Sequence, residues 1–316
     1  VAGSDGAGEV VAVGEKVTSW KRGDRVVTLM LQGYLYGPYT AAAAQTGLGA
    51  SIDGTLRQYG VFVEWGLVRA PRNLTYREAM LSCAGVTAWN ALYGLRPVRP
   101  GETVLVLGTG GVSIFALQVG GPDSRLYNCP PSLSVSGRLL ANKATQFAKA
   151  AGAQVIATTS LDDKVALLKR LGADHVINYS EDPEWGATAK ALTLGGRGVD
   201  HVIEVGGAGT LHQSQKAIKL EGIMSVIGAV AKESKPIPTI LDSWINTYTA
   251  RGVAVGSREM MEDMVDAIEA NDIHPLIDGR EFSLEQAKDA FHYFVSWPVA
   301  PIYNPPQNAL TSLLTP

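Results

Sequence analysis

The sequence predicts an α/β fold built on a doubly wound parallel sheet, with a smaller, partial β unit ahead of it. Three observations carry this reading. From about residue 100 onward, short β-branched runs alternate with helical patterns, and each strand is closed by glycine or a polar turn. One of these strands runs directly into a glycine-rich turn and then a helix, over Val104 to Ser113. The first ninety residues read differently, with frequent Gly and Pro, short strands and few helices.

In chain order, the early strands are expected at Glu9 to Val13, Asp24 to Thr28 and Gln58 to Val63. The parallel sheet takes Thr103 to Leu107, Gln154 to Thr158, His175 to Asn178, His201 to Val205, Ile223 to Ile227 and Gly252 to Val255. Between them, Asp163 to Leu171 carries apolar residues at helical spacing and stops at Gly172, a left-handed cap, while Leu211 to Leu220 stops in the same way before Gly222. Met260 to Ala270 and Leu284 to Phe294 are two late helices that would return the chain to its first unit.

One stretch breaks the pattern. A helix opens on an apolar face over Thr109 to Gln118, but Val119 to Gln146 brings Gly-Gly-Pro, Cys-Pro-Pro and scattered Ser with no periodicity. Removing those 28 residues aligns Val112, Phe115, Ala116, Phe147, Ala150 and Ala151 in one continuous stripe ending at Gly152, as the crossover helix of a βαβ unit should read. Our hypothesis is that residues 119–146 are a translated intervening sequence or gene-model error, with a genuine surface loop as the alternative. A sequenced transcript that retains the codons would reject it.

Composition narrows the function. With 27 Lys and Arg against 30 Asp and Glu, the net charge of −3 offers no basic field for nucleic acid. An uncharged run, Thr103 to Pro122, has the length of a membrane span, but its five glycines and several polar side chains argue against one. No secretion signal is visible, and two cysteines, Cys83 and Cys129, form neither a disulfide framework nor a four-cysteine zinc lobe. A reducing, cytoplasmic compartment is the expectation.

The chemistry concentrates at Gly108-Thr109-Gly110-Gly111-Val112-Ser113. Gly108 permits the tight turn and Gly110 the approach of backbone to a pyrophosphate. The helix that follows aims N–H groups and a partial positive charge at the same place. Ser113 stands where a third glycine is usual. The acid that would hold an adenosine ribose should follow about twenty residues on, at the end of the second strand. With the insertion subtracted that position falls near Thr159, which is not acidic. Hydroxyls and the Lys164 ammonium nearby suit a 2′-phosphate, so NADP(H) is expected over NAD(H); Asp162 and Lys164 as a solvated helix start are the plainer alternative.

Several segments together resemble the medium-chain dehydrogenase/reductase superfamily, and within it the zinc-free alcohol dehydrogenase-like and quinone oxidoreductase-like branch. They are Ser4 to Gly14, Gly23 to Val26, Cys83 to Asn90, Gly108 to Ser113 and Gly172 to Tyr179. The resemblance implies a partial GroES-like catalytic domain over 1–86, a Rossmann domain over 87–270 and a return to the catalytic domain over 271–316. It also implies further strands before the segment matching Gly3 to Gly14. By resemblance Thr87 would lie beside the nicotinamide or phosphates, and Gly108, Thr109, Gly110, Gly111 and Val112 at the pyrophosphate. Ser160, Lys164 and Tyr179 would meet the 2′-phosphate, and Val205, Gly206 and Gly228 the nicotinamide half. The alternative for the last three is strand-end packing.

Zinc members of the superfamily carry Gly-His-Glu-Gly where this chain reads Gly3-Ser4-Asp5-Gly6, so the imidazole is missing. Cys83 resembles a later cysteine ligand, but a lone thiol does not build a three-ligand site, and no zinc is expected. His175, His201, His212, His274 and His292 are scattered, with no partner at metal spacing. What remains is a zinc-independent oxidoreductase moving hydride between NADP(H) and a small molecule: a quinone, enone, aldehyde or alcohol. The competing reading is a non-catalytic or vestigial dinucleotide-binding protein. A homodimer through the Rossmann edge strand, matched by Val253 to Val255, is a further expectation from the resemblance.

Overall fold

The structure, a computed structural model, describes residues 1–108, 112–113, 144–228, 239–275, 277 and 279–295. Six parallel strands form the main sheet: β4 (Thr103–Val106), β5 (Gln154–Thr159), β6 (His175–Asn178), β7 (Val199–Glu204), β8 (Ile218–Val226) and β9 (Thr249–Gly252). Their order across the sheet is β6-β5-β4-β7-β8-β9, so β4 is the strand from which successive crossovers leave in opposite directions. Ahead of it lies a three-stranded antiparallel sheet of β1 (Ala7–Glu9), β2 (Arg25–Thr28) and β3 (Leu67–Arg69). This is the Rossmann-type α/β architecture that the alternating pattern anticipated.

The inner strands β4, β5 and β7 are buried on both faces, which is why β4 and β5 read as near-continuous apolar runs. Within β4 the strand alternation still sorts the side chains. Val104 and Val106 enter a cluster with Val155, Phe147 and Ile203, while Leu105 and Leu107 enter a second cluster with Ile156, Trp185 and Met224. The first cluster also takes in Val27, Leu29, Val68 and Ala70 from the small sheet and its borders, so the two sheets share one core.

Helices α1 (Ala41–Ala44), α2 (Ala84–Tyr93), α3 (Ala144–Ala150), α4 (Val165–Arg170), α5 (Trp185–Ala191), α6 (Leu211–Ala217), α7 (Ile240–Ile245), α8 (Arg258–Ala270) and α9 (Ala287–Val295) complete the described chain. Ser257 caps α8, accepting the Met260 N–H at 3.2 Å, and Met261, Met264, Val265 and Ile268 bury one face of the helix. Its far end holds the small sheet: Glu269 Oε1 accepts from Arg69 Nη1 at 2.5 Å and from the Arg72 N–H at 2.7 Å.

Several expected boundaries are corrected. Gln58 to Val63 is not a strand. Val61 is 95% exposed and Tyr59 is also exposed, so the run has no buried face, and the strand forms later at β3. The first strand stops at Glu9 because Val11 and Val13 face solvent. The helix expected to continue to Leu220 ends at Ala217, and Ile218 is already extended. Glu221, not Gly222, takes the left-handed backbone there, at φ 59°. Gly222 is small for a different reason, since a Cβ on it would stand 2.6 Å from Ile218 Cγ1. Gly172, by contrast, does adopt φ 103° after α4. The last strand runs over Thr249–Gly252, so Val253 to Val255 lies beyond the edge strand.

Helix α3 begins at Ala144, so residues 144–146 belong to the crossover helix and not to the anomalous segment, whose remainder lies outside the described residues. Phe147 is buried in the core with Val112 and Ala151 packed against the same cluster, but Ala150, expected in the joined stripe, is exposed and Ala148 is buried instead; Phe115 and Ala116 lie outside the described residues.

Candidate functional site

The carboxyl ends of β4, β5 and β7 meet at Gly108, the first residue past the sheet's point of reversal. Gly108 adopts φ 69°, where a side chain would be strained, and a Cβ there would meet nothing within 4 Å. The glycine is therefore required by the turn and leaves open space above it. Its N–H donates to Thr158 Oγ1 at 3.1 Å, fixing the start of the turn to the end of β5. Ser113 is fully buried and its hydroxyl donates back to the Leu107 carbonyl, so it closes the first helical turn onto the strand. Val112 is half-buried. Thr109, Gly110 and Gly111 lie outside the described residues.

On one side of this turn, the ends of β5 and β6 bring together Ser160 and Tyr179. The Tyr179 N–H donates to the Thr159 carbonyl at 2.9 Å, and Ser180 Oγ donates to the Ser160 carbonyl at 3.1 Å. Lys164 follows on the short 3-10 turn Asp162–Lys164, half-buried. Burial holds its ammonium below the ordinary lysine range, against the Asp163 charge. Thr159, at the position where a ribose-binding acid was sought, is buried, and its hydroxyl accepts the Leu161 N–H at 3.2 Å. The nearest acid, Asp162, accepts from Asn178 Nδ2 at 2.7 Å.

On the other side, the ends of β7 and β8 bring Val205, Gly206 and Gly228 into contact. A Cβ on Gly228 would stand 2.9 Å from the Val205 carbonyl oxygen, and one on Gly206 would stand 2.2 Å from Thr210 Oγ1. These glycines are dictated by close packing. Thr87 sits in α2, buried, with its hydroxyl donating to the Cys83 carbonyl at 2.7 Å. Open space beyond a left-handed glycine at the reversal strand, flanked by these two rims, fits an extended dinucleotide.

The sequence reading missed the surroundings of two carboxylates, Glu204 and Asp5. Glu204 ends β7 with no exposure to solvent and accepts four hydrogen bonds from the residues that follow it. The available signal was an acid at a strand end followed by Gly-Gly, with Thr and Ser six and ten residues on. Asp5 lies between the small sheet and α2. Ser4 Oγ donates to its Oδ2 at 2.7 Å and the Cys83 N–H to its Oδ1 at 2.8 Å. Burial pushes the Asp5 carboxyl up, with these hydrogen bonds opposing, and pushes the Cys83 thiol up to about 12.

That cluster is the place to test for zinc. A ligating cysteine must be a thiolate, and burial of Cys83 opposes that charged form. Both Asp5 oxygens already accept hydrogen bonds, and Ser4 offers a hydroxyl in place of an imidazole. Ser4, Asp5 and Cys83 therefore do not fit the metal. Among the described residues no three His, Cys, Asp or Glu side chains converge as a metal site. His201 lies in β7 and His274 bridges Glu78 and Asp272, both far along the chain from this cluster.

A separate cavity of about 590 Å³ lies at the ends of β8 and β9, lined among others by Tyr34, Tyr39, Asn90 and Arg251. None of the expected site residues lines it.

The comparisons agree with this architecture. The alcohol dehydrogenase GroES-like domain family matches residues 1–72, and the zinc-binding dehydrogenase family matches residues 141–270. A zinc-type alcohol dehydrogenase-like protein of Schizosaccharomyces pombe is 43% identical over 299 residues, 93% of this chain and 78% of that protein. A structure from Sinorhizobium meliloti, provisionally described as an alcohol dehydrogenase, is 34% identical with a TM-score of 0.77, covering 95% of this chain and 80% of its own. An NAD-dependent alcohol dehydrogenase structure is 28% identical with a TM-score of 0.75, covering 95% and 81%. No helix among the described residues is long and apolar enough to cross a membrane, and with this fold and these relatives the chain belongs to the medium-chain dehydrogenase/reductase superfamily and is an oxidoreductase of the alcohol dehydrogenase type.

Proposed function

We propose that this oxidoreductase works without zinc and prefers NADP(H), moving hydride between that cofactor and a quinone, enone, aldehyde or alcohol. The observation that carries the cofactor preference is the rim of β5. Thr159 occupies the place of a ribose-binding acid and is buried, Asp162 is engaged by Asn178, and Ser160, Lys164 and Tyr179 follow on the loops that leave β5 and β6. A basic side chain and hydroxyls suit a phosphate dianion, with the Asp163 charge beside Lys164 as the element that opposes it. The NAD dependence of a 28%-identical relative points the other way, so the choice rests on these residues.

The cofactor, when bound, supplies the hydride chemistry. The chain contributes the binding surfaces. By this reading the glycine turn that Gly108 opens would receive a diphosphate, the β5 rim its adenosine end, and Val205, Gly206 and Gly228 the nicotinamide end. Positioning is then the main catalytic effect. Reaction at an activated acceptor such as a quinone or enone needs no Lewis acid, in keeping with the poor fit of Ser4, Asp5 and Cys83 to a metal.

The test is turnover of a panel of quinones, enones, aldehydes and alcohols by protein dialysed against a chelator, with NADPH and NADH compared. Activity that survives dialysis and a higher kcat/KM with NADPH support the reading. Loss of activity restored by zinc would sink the zinc-free part, and an NADH preference the cofactor part. Nucleotide binding without turnover of any compound would favour the non-catalytic alternative. We further propose a cytoplasmic homodimer paired along β9, the exposed edge of the main sheet, which sedimentation would reveal as twice the chain mass.

A further inference from the structure

Glu204 is the last residue of β7, the strand beside β4 on the nicotinamide side of the reversal point. Val106 pairs with Ile203, so Glu204 is level with Leu107, one residue short of the Gly108 turn. Its side chain is completely buried. Oε1 accepts the Gly206 N–H at 2.8 Å, the Gly207 N–H at 3.0 Å and Thr210 Oγ1 at 2.6 Å, and Oε2 accepts Ser214 Oγ. Among the described residues no cation pairs with it. Two backbone and two hydroxyl donors converge on one carboxylate, and three of the four lie on residues 206–210.

A buried carboxylate is costly unless its lone pairs are matched, so a core that served packing alone would place an apolar residue here. The matched donors instead tie the glycine turn to the end of β7, adding to the Thr210 N–H that donates to the Gly207 carbonyl at 2.9 Å within the turn. Gly207 adopts φ 74°, Gly206 presses on Thr210, and the turn meets β8 where Gly228 approaches the Val205 carbonyl. The β7 end is also tied to β8 by the Ile227 N–H donating to the Glu204 carbonyl at 2.8 Å.

We propose that Glu204 is a positioning residue for the nicotinamide half of the cofactor, its carboxylate gathering the Gly206 and Gly207 N–H groups and the Thr210 and Ser214 hydroxyls to set the height of the turn against which the nicotinamide rests. The inference depends on the assignment of Val205, Gly206 and Gly228 to that half of the cofactor in the function proposed above. It predicts an asymmetry, because Glu204 supports the β7 turn and not the β5 rim. Removing its charge weakens binding of the whole nucleotide and leaves binding of the adenosine part untouched.

The experiment compares Glu204→Gln and Thr210→Val with the unaltered chain, titrating each with NADPH and with 2′-phospho-ADP-ribose, which lacks nicotinamide. Glu204→Gln keeps the shape but removes the charge and replaces one of the two acceptor oxygens by an amide nitrogen. It should raise the Kd for NADPH on the order of tenfold, with the fragment Kd unchanged. Thr210→Val removes one of the four donors and should act in the same direction more weakly; it decides the matter if Glu204→Gln shows no cooperative melt. Equal weakening of both ligands, or a lower Tm with both affinities unchanged, overturns the proposal and reduces Glu204 to a structural role. If the unaltered chain binds neither ligand, the dinucleotide reading itself has failed, a result distinguishable because it appears before any substitution is made.

Discussion

His201 Nε2 lies 3.1 Å from Glu102 Oε2, while the other ring nitrogen, Nδ1, is buried without a partner. Arg96 Nη2 stands 3.3 Å from the same Nε2. Burial holds the His201 pKa below its ordinary 6.5; the Glu102 charge opposes this and the Arg96 charge adds to it. The unfolded histidine protonates near 6.5 and the folded one only at lower pH. In that window the unfolded chain binds more protons, so stability is full above about 6.5 and declines as pH falls through it. Urea midpoints at pH 8 and pH 5.5 should therefore fall more for the unaltered chain than for His201→Gln. Equal falls would show that the ring titrates freely in the fold. Asp5 and Glu204, whose carboxyls are raised by burial, act with the opposite sign and cancel in that difference.

Gly108→Ala and Gly206→Ala should differ in kind. At Gly108 the added methyl has open space and meets only backbone strain, about 1–2 kcal/mol. At Gly206 it collides with Thr210 Oγ1, whose displacement also breaks a hydrogen bond to Glu204. Chemical denaturation should find Gly206→Ala the more destabilised of the pair, and similar losses would mean that the β7 turn yields readily.

Lys164→Gln tests the phosphate assignment. Loss of one charge-assisted hydrogen bond to a 2′-phosphate should raise the KM for NADPH by roughly tenfold and leave that for NADH within about twofold. A parallel change in both would return Lys164 to the role of a solvated helix start.

Cys83, whose thiol burial raises to about 12, should resist alkylation. Iodoacetamide at pH 8 ought to leave the Cys83 peptide unmodified in the native chain and label it in urea, as read by peptide mass. Rapid native labelling would indicate a thiolate and reopen the question of a metal at Asp5 and Cys83.

The main sheet was legible because its strands are apolar on both faces and punctuated by glycine, signals that survive without tertiary information. Helix α5 was not. Its seven residues include Gly186 and Thr188, poor helix formers, and its stability comes from burying Trp185 and Ala189 against the sheet. Gly186 is explained only by the neighbouring α6, since a Cβ there would stand 2.1 Å from the Gln213 carbonyl. At the site, the turn and its serine could be read, because strand, glycine and helix follow one another in the chain. The inward turn of Thr159 and the donors around Glu204 could not, since burial of a single polar side chain leaves no periodic trace. Thr109, Gly110 and Gly111 lie outside the described residues, so the pyrophosphate contacts rest on sequence alone.

The apolar cluster that takes in Val27 and Val68 along with Val104 and Ile203 has a consequence for unfolding. Stripping the small sheet away would bare Met261, Met264 and Val265 on α8 to water, so the nucleotide-binding half has no stable life of its own. Heat or denaturant should dismantle both halves in one step, and a fragment lacking the early strands should collect as aggregate.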